Sequence, residues 1–313
     1  YSGATVGWTP ASDIVSAFEP VAPTIQRAIF AFGYTSSNVS MSNLVSSSGV
    51  VGSDVTGVGT ARHYLAAVSY GGDKAIFGYG ENASGYVSMT NLVNNSGVVA
   101  ADVSGVGTAR TGLAAASYGG DKAIFGYGQI DGGAKSSLTN LVGNTGTVAS
   151  DVSGVGTARA YLAAASYGGD KAIFGYGETG SYVSMTNLVN NSGVVAADVT
   201  GVGTARRLLA AAGYGEDKAI FGYGQSSGGY VSMTNLVNSS GVVAADVSGV
   251  GTARRLLAAA SYGGDKAIFG YGFTGSNVSM SNLVNNSGVV AADVTGVGTA
   301  RYALGAAGYS YSA

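Results

Sequence analysis

The chain contains no cysteine, which excludes disulfides and thiolate chemistry. It has a single histidine, His63, too few for a zinc site or for a triad repeated along the chain. Its one tryptophan, Trp8, and its three prolines, Pro10, Pro20 and Pro23, all fall at the N-terminal end. Only 10% of the 313 residues are charged, and the net charge is −2. Without a basic field to hold a phosphate backbone, nucleic acid is not an expected partner. No apolar run reaches the roughly 18 residues of a membrane-spanning helix, and no secretory leader is visible. The chain begins at Tyr1 with no Met before it, as a processed chain would.

What is present is repetition. The string GVGTAR occurs six times, ending at Arg62, Arg110, Arg159, Arg206, Arg254 and Arg301. GGDKAIFGYG occurs four times and once as GEDKAIFGYG, and a divergent sixth copy, RAIFAFG, starts at Arg27. The aligned phenylalanines, Phe30, Phe77, Phe125, Phe174, Phe221 and Phe269, are 47 to 49 residues apart. All length variation lies between FGYG and the following VSMTNLV, in the segments YTSSN, ENASGY, QIDGGAK, ETGSY, QSSGGY and FTGSN. Variable, Gly/Ser/Asn-rich segments on a fixed scaffold predict exposed turns.

Within each repeat, LAAASY, KAIFGYG, YVSMTNLV and GVVAADV have strand length and carry β-branched and aromatic residues. The 53 glycines oppose helix. Alternation in KAIFGYG places Ala75, Phe77 and Tyr79 on one face and Ile76 and Gly78 on the other. Four antiparallel strands in such a period predict an all-β, six-bladed β-propeller with the Ala-rich strand innermost. The rival, a β-solenoid, requires two coils per repeat. The chain enters the pattern at a second strand (RAIFAFG) and leaves at a first strand (LGAAGYSYSA, 304–313). Pairing the C-terminal and N-terminal strands therefore completes six blades over residues 27–313 and leaves residues 1–26 over as an N-terminal extension.

The order Arg62, LAAVSY, KAIFGYG, YVSMTNLV, GVVAADVSGVGTAR resembles kelch repeats over residues 27–313. The double glycine of that family is here Gly78-Tyr79-Gly80, and its later Trp is missing. The resemblance implies a propeller. It also brings to mind kelch-type copper oxidases, whose Cys–Tyr crosslink and histidine ligands this sequence cannot supply.

No residue set points to catalysis, a cofactor or a metal. His63 aligns with Thr111, Ala160, Arg207, Arg255 and Tyr302, a variable position expected at the surface. Asp54, Asp102, Asp151, Asp198, Asp246 and Asp293 recur in DV[ST]GVGT, where a carboxylate is expected to bond nearby turn amides. A second set, Asp73, Asp121, Asp170, Asp217 and Asp265, each followed by Lys, reads as hairpin-turn chemistry. The six arginines are expected to bond loop carbonyls or a recurrent aspartate of their own or a neighbouring blade. The sequons at Asn38, Asn82 and Asn277 lie in the variable loops, where a glycan is tolerated.

The close similarity of the copies predicts a non-enzymatic, self-assembling structural protein, an extracellular or cell- or virion-surface filament or fibre. Residues 1–26 provide an arm for head-to-tail contacts, with Val6, Trp8, Ile14, Val15 and Phe18 as candidate intersubunit residues. The alternative is a carbohydrate-binding or adhesive module, such as a lectin or viral fibre head. In that case Tyr86, Tyr182, Tyr230 and Phe273 of the variable loops would stack on sugar rings.

Overall fold

Each repeat joins two short apolar segments through a glycine-rich turn, so the two become neighbouring antiparallel strands. In the turn before Asp73, Gly71 and Gly72 have φ of 64° and 78°, which glycine adopts without strain. The computed structural model describes residues 25–311, which form short strands joined by turns and irregular segments, with a single 3-10 turn at Asp131–Gly133. They form six three-stranded antiparallel sheets. Sheet 1 combines Gly305–Tyr311, Ile25–Ala31 and Ser42–Val45. Sheet 2 is Ala66–Tyr70, Lys74–Gly78 and Thr90–Val93; sheet 3 is Ala114–Tyr118, Lys122–Gly126 and Thr139–Val142. Sheet 4 is Ala163–Tyr167, Lys171–Gly175 and Thr186–Val189; sheet 5 is Ala210–Tyr214, Lys218–Gly222 and Thr234–Val237. Sheet 6 is Ala258–Tyr262, Lys266–Phe273 and Asn277–Val284.

The Ala-rich first strands pack against one another in sheet order, and the first strand of sheet 6 touches that of sheet 1, which touches that of sheet 2. Small side chains permit this: Ala67, Ala115, Ala164, Ala211, Ala259 and Ala306, with Ser69, Ser117, Ser166 and Ser261, line a channel of about 60 Å³ between the six strands. Ser117 Oγ donates to Ser69 O, and Ser69 Oγ to Gly308 O, both at 2.8 Å.

Sheet 1 unites the two ends of the described chain. Its ladder has seven pairs, Ile25↔Tyr311 through Ala31↔Gly305, against five in sheet 2, Ala66↔Gly78 through Tyr70↔Lys74. No turn ties these two strands together, so the longer ladder does the work a hairpin does elsewhere. Because Ile25 and Gln26 belong to this strand, the N-terminal extension is shorter than residues 1–26. Gln26 O accepts from Gly263 N at 3.0 Å.

The expected fourth strand is reduced to two bridges. Val93↔Val99 and Thr90↔Val103 enclose three residue steps on one side and four on the other, so the outer segment carries one residue more than its partner. This is a β-bulge, and it ends regular pairing. Asn91 fills the gap, donating from Nδ2 to Ala100 O at 3.0 Å and Asp102 Oδ1 at 2.9 Å.

One inter-sheet joint is repeated five times, and a sixth, between sheets 1 and 2, has Ala31 in place of the glycine and Phe32 in place of the tyrosine. Phe125, fully buried, lies on Gly78 of the neighbouring sheet, where a Cβ would come within 2.7 Å of its ring. The Tyr79 ring meets Phe125 edge-on at 5.2 Å between centroids. The alternation expected for KAIFGYG fails at this tyrosine: Phe77 packs toward sheet 1, whereas Tyr79 packs with Ile76 toward sheet 3. The cause is its φ of 63°, a left-handed conformation that turns the side chain to the other face. Phe32, Tyr127, Tyr176, Tyr223 and Tyr271 do the same, with φ of 62° to 65°.

Just before each first strand, a second left-handed residue enters a circle of backbone hydrogen bonds. Tyr64 N donates to Ala303 O, Ala303 N to Leu256 O, Leu256 N to Leu208 O, Leu208 N to Tyr161 O, Tyr161 N to Gly112 O, and Gly112 N back to Tyr64 O, all within 2.7–3.0 Å. The six φ values lie between 52° and 61°. Five of these residues are not glycine, and each left-handed one costs roughly 1–2 kcal/mol. The closed set of bonds and the packing of Leu208, Leu256 and Ala303 beneath it offset that strain.

Candidate functional site

The recurrent arginines and aspartates meet, but not as neighbours in sequence. Arg206 is fully buried. Its Nε donates to Tyr223 O at 3.0 Å, Nη1 to Thr204 O at 3.1 Å and Nη2 to Asn235 Oδ1 at 2.6 Å. Asn235 Nδ2 in turn bonds Asp246 Oδ1 at 2.9 Å, and Asp246 also accepts from the Thr204 amide and hydroxyl. The guanidinium lies 4.3 Å over the Tyr176 ring of the preceding sheet. Each arginine thus clasps the sheet that follows it while resting on an aromatic ring of the sheet before. The same Thr–Asp bonding holds at Asp54, Asp102, Asp151, Asp198 and Asp293. Arg301 closes the series, bonding Phe32 O and Asn43 across 269 and 258 residues of chain. Arg62, Arg110, Arg159 and Arg254 sit over Phe32, Tyr79, Tyr127 and Tyr223. The turn amide that each aspartate bonds therefore comes from about one repeat earlier, 41 to 43 residues back where the chain is continuous, and not from the local loop.

Burial alone would raise the aspartates' pKa, but the threonine hydroxyl, the asparagine amide and the threonine N–H outweigh it, and all six lie below the ordinary carboxylate value. With the folded-state pKa depressed, the unfolded chain takes up protons first as pH falls. The stability these groups contribute is then complete above the unfolded value of about 3.9 and is lost as pH drops through the lower folded values. The thermal midpoint should therefore be level from neutral pH down to about pH 5 and fall below about pH 4. Asp198→Asn should be less stable at neutral pH and show a shallower acid limb; a wild-type midpoint level to pH 2 would contradict this role.

The second aspartate set sits in the turns between first and second strands. Asp73, Asp217 and Asp265 each pair with the following lysine at 2.6–2.7 Å. Backbone bonds such as Gly71 N to Asp121 O link one turn to the next. This turn face is nearly identical in the five sheets that have the turn, sheet 1 being joined from the two chain ends instead.

The opposite face is where the repeats differ. The His63 column lies beside the hydrogen-bonded circle, not at a free surface: Thr111 and Ala160 are buried and His63 is half-buried. Burial lowers the His63 pKa and keeps its ring neutral at pH 7, with Nδ1 3.1 Å from Glu81 O. From it runs an unbroken arc of rings. Tyr230 meets Phe273 at 6.4 Å, Phe273 meets Tyr302 at 5.6 Å, and Tyr302 meets Tyr34 at 5.5 Å. Tyr34 then meets His63 at 5.2 Å, His63 meets Tyr64 at 4.7 Å and Tyr64 meets Tyr161 at 5.5 Å. The polar members differ from sector to sector. Glu178 pairs with both Lys135 and Arg207, and Gln129 accepts from Lys135 Nζ at 2.9 Å. Arg255 bonds Gln225 Oε1 at 2.7 Å and lies 5.0 Å from the Tyr230 centroid. An apolar dimple of about 80 Å³, lined by Leu113, Leu162, Leu209 and Leu257 among others, opens at the centre. This asymmetric face escapes a reading that compares repeats as wholes; the variable 63/64 columns, taken together with the variable loops, are its signal.

The rim has a third character. Among the described residues, every exposed large hydrophobic is a valine in one of three columns of the bulged outer segments: those of Val98, Val103 and Val106. Val98 is 60% exposed and Val103 46%. The only charged residue on each segment is the clasped aspartate.

Of the candidate glycosylation residues, Asn38 and Asn82 are half-buried, and Asn277 Nδ2, the atom that would carry a glycan, donates to Thr35 O at 3.0 Å. Val6, Trp8, Ile14, Val15 and Phe18 lie outside the described residues. Among the described residues no cluster of acidic and histidine side chains could hold a metal ion, and no helix is long and apolar enough to cross a membrane. No protein-family model matches the chain, and no curated protein sequence matches it.

Proposed function

We propose that this chain is a six-bladed β-propeller that serves as a non-enzymatic, self-assembling structural subunit of an extracellular filament. The propeller reading is supported by the six inter-sheet joints, five of them alike, the packing of each first strand on the next, and the shared sheet of the two chain ends. Assembly is carried by one observation: six sheet edges bearing exposed valines, with neither lysine nor proline to guard them. Soluble monomers protect such edges with charge, proline, bulges or cover; here a bulge interrupts each segment, but its valines stay uncovered.

The occupant we assign to these edges is the N-terminal segment of another copy. ATVGW has the composition of a short strand, and Val6, Trp8, Ile14, Val15 and Phe18 supply apolar contacts for the valines. Ile25 pairs with Tyr311 at the turn-face end of sheet 1, so the preceding segment is attached to the body on the side away from the aromatic arc. A segment that docks on the next copy makes a heterologous contact, which propagates as a filament unless it closes.

Full-length protein should form filaments by negative-stain microscopy, while residues 25–313 should remain monomeric with an unchanged melting temperature. Val98→Lys, Val194→Lys and Val242→Lys together should raise the concentration needed for assembly by about tenfold per 1.4 kcal/mol of lost contact. If residues 25–313 still polymerise, or the full chain is a monomer whose arm protects its own rim, the proposal fails.

A further inference from the structure

The divergent face carries a feature that assembly through the rim does not use. Where one side of the molecule repeats almost residue for residue, the other replaces equivalent positions with chemically different groups. The differences converge around the axis, where side chains from separate sheets come within contact of one another. Such convergence of non-equivalent polar and aromatic groups is what recognition of an asymmetric small molecule requires. The rings of the arc are half-buried, which leaves part of their apolar surface for a ligand to cover.

Arg255 gives this face its chemistry. Among the described residues, Lys135 and Arg207 are compensated by Glu178, but Arg255 has no carboxylate within ion-pair distance. Its one side-chain partner shown is the neutral Gln225. Its Nε is buried with no hydrogen-bond partner, as is that of the equivalent Arg207, but Arg207 has Glu178 beside it and Arg255 has no such carboxylate. The guanidinium stands between Tyr230 and Phe273, 5.0 and 5.5 Å from their centroids. Glu81, an acid of the same face, belongs to a sector two sheets away. A fixed cation framed by two rings fits a ligand with a carboxylate beside an apolar, ring-shaped face.

We propose that this face is a binding site for acidic saccharides. Arg255 pairs with the sugar carboxylate, and Tyr230, Phe273 and Tyr302 stack on the C–H faces of the pyranose rings. The guanidinium's planar fork matches a carboxylate. The site does not depend on the filament proposal, because it lies on a different surface from the rim valines.

Isothermal titration calorimetry of the full-length protein tests this, with three probes: oligogalacturonate, sialyllactose and the neutral maltohexaose. At least one acidic sugar should bind, and maltohexaose should bind at least tenfold more weakly. Arg255→Gln should weaken the acidic sugar at least tenfold and leave maltohexaose unchanged, whereas Tyr230→Ala should weaken both. Lys122→Gln on the turn face should change nothing. Poly-glutamate serves as a charge-only control. Equal binding of poly-glutamate would make the face a general polyanion site and overturn the proposal, as would failure of both acidic sugars to bind at millimolar concentration. The rim variants Val98→Lys and Val194→Lys should bind like wild type even where assembly is lost, so failure of one proposal is separable from failure of the other.

Discussion

Removing residues 305–313 should abolish cooperative folding. The deletion takes away the whole first strand of sheet 1, its seven-pair ladder with Ile25–Ala31, and the buried side chains of Ala306, Ala307 and Tyr309. It also uncovers the first strands of sheets 2 and 6, which this strand contacts. Each large side chain returned to water forfeits about 1.5–3 kcal/mol, and the exposed edges invite pairing with other chains. Against a typical total of roughly 5–15 kcal/mol, such losses are decisive. The truncated protein should lack a sharp thermal transition by circular dichroism and elute as aggregate. A circular permutant tests the same idea from the other side. It would open between Gly132 and Gly133, in an exposed loop, and join the original ends through residues 1–24. It should melt within a few degrees of wild type. A truncated chain that melts cooperatively near the wild-type temperature would show that sheet 1 does not hold the molecule together.

The second large effect is expected at the clasps. Arg206→Met should destabilise by about 3–5 kcal/mol, the range for breaking a buried charged network by removing one partner. The substitution strips donors from Tyr223 O, Thr204 O and Asn235 Oδ1 and removes the cation from the Tyr176 ring. Each buried acceptor left alone costs about 1–3 kcal/mol. Arg206→Lys should recover little, because an ammonium cannot reach three acceptors in a fixed plane. Arg206→Met with Asn235→Leu should recover nothing, since Asn235 Nδ2 also donates to Ala244 O and Asp246 Oδ1, which would lose their donor. Urea unfolding reads all three, and a midpoint unchanged in Arg206→Met would show that the guanidinium only fills space.

The repeat period, the all-β class, the inner place of the Ala-rich strand and the meeting of the chain ends were legible because they depend on patterns a sequence displays directly: spacing, side-chain size and strand phase. Other features rest on backbone geometry that residue types barely signal. Tyr79 was placed with Phe77 by strict alternation, and only its left-handed φ sends it the other way. The circle through Tyr64, Gly112, Tyr161, Leu208, Leu256 and Ala303 has one glycine to hint at it. The partner of Arg62 is Asp102, not Asp54 eight residues before it, because the linking segment crosses onto the following sheet. GVVAADV reads as a strand, but the Asn91 side chain takes hydrogen bonds that a ladder would use. His63 was placed at a variable surface position, and it lies half-buried beside the axis instead.

The circle of six N–H···O bonds also bears on how the gene can change. Near-identical tandem units are readily gained or lost by recombination, and strand phase alone would accept any whole number of them, since a terminal first strand always finds a terminal second strand. The circle is less permissive. Its members share a narrow range of φ, 52° to 61°, and of bond length, 2.7–3.0 Å, which a fixed angle between neighbouring sheets would impose. Five or seven members would change that angle at every joint at once, together with the fit of each Phe on the neighbouring sheet and each Arg on its ring. Copy number is thereby under structural selection: duplication and deletion produce variants, and the axis decides which of them fold.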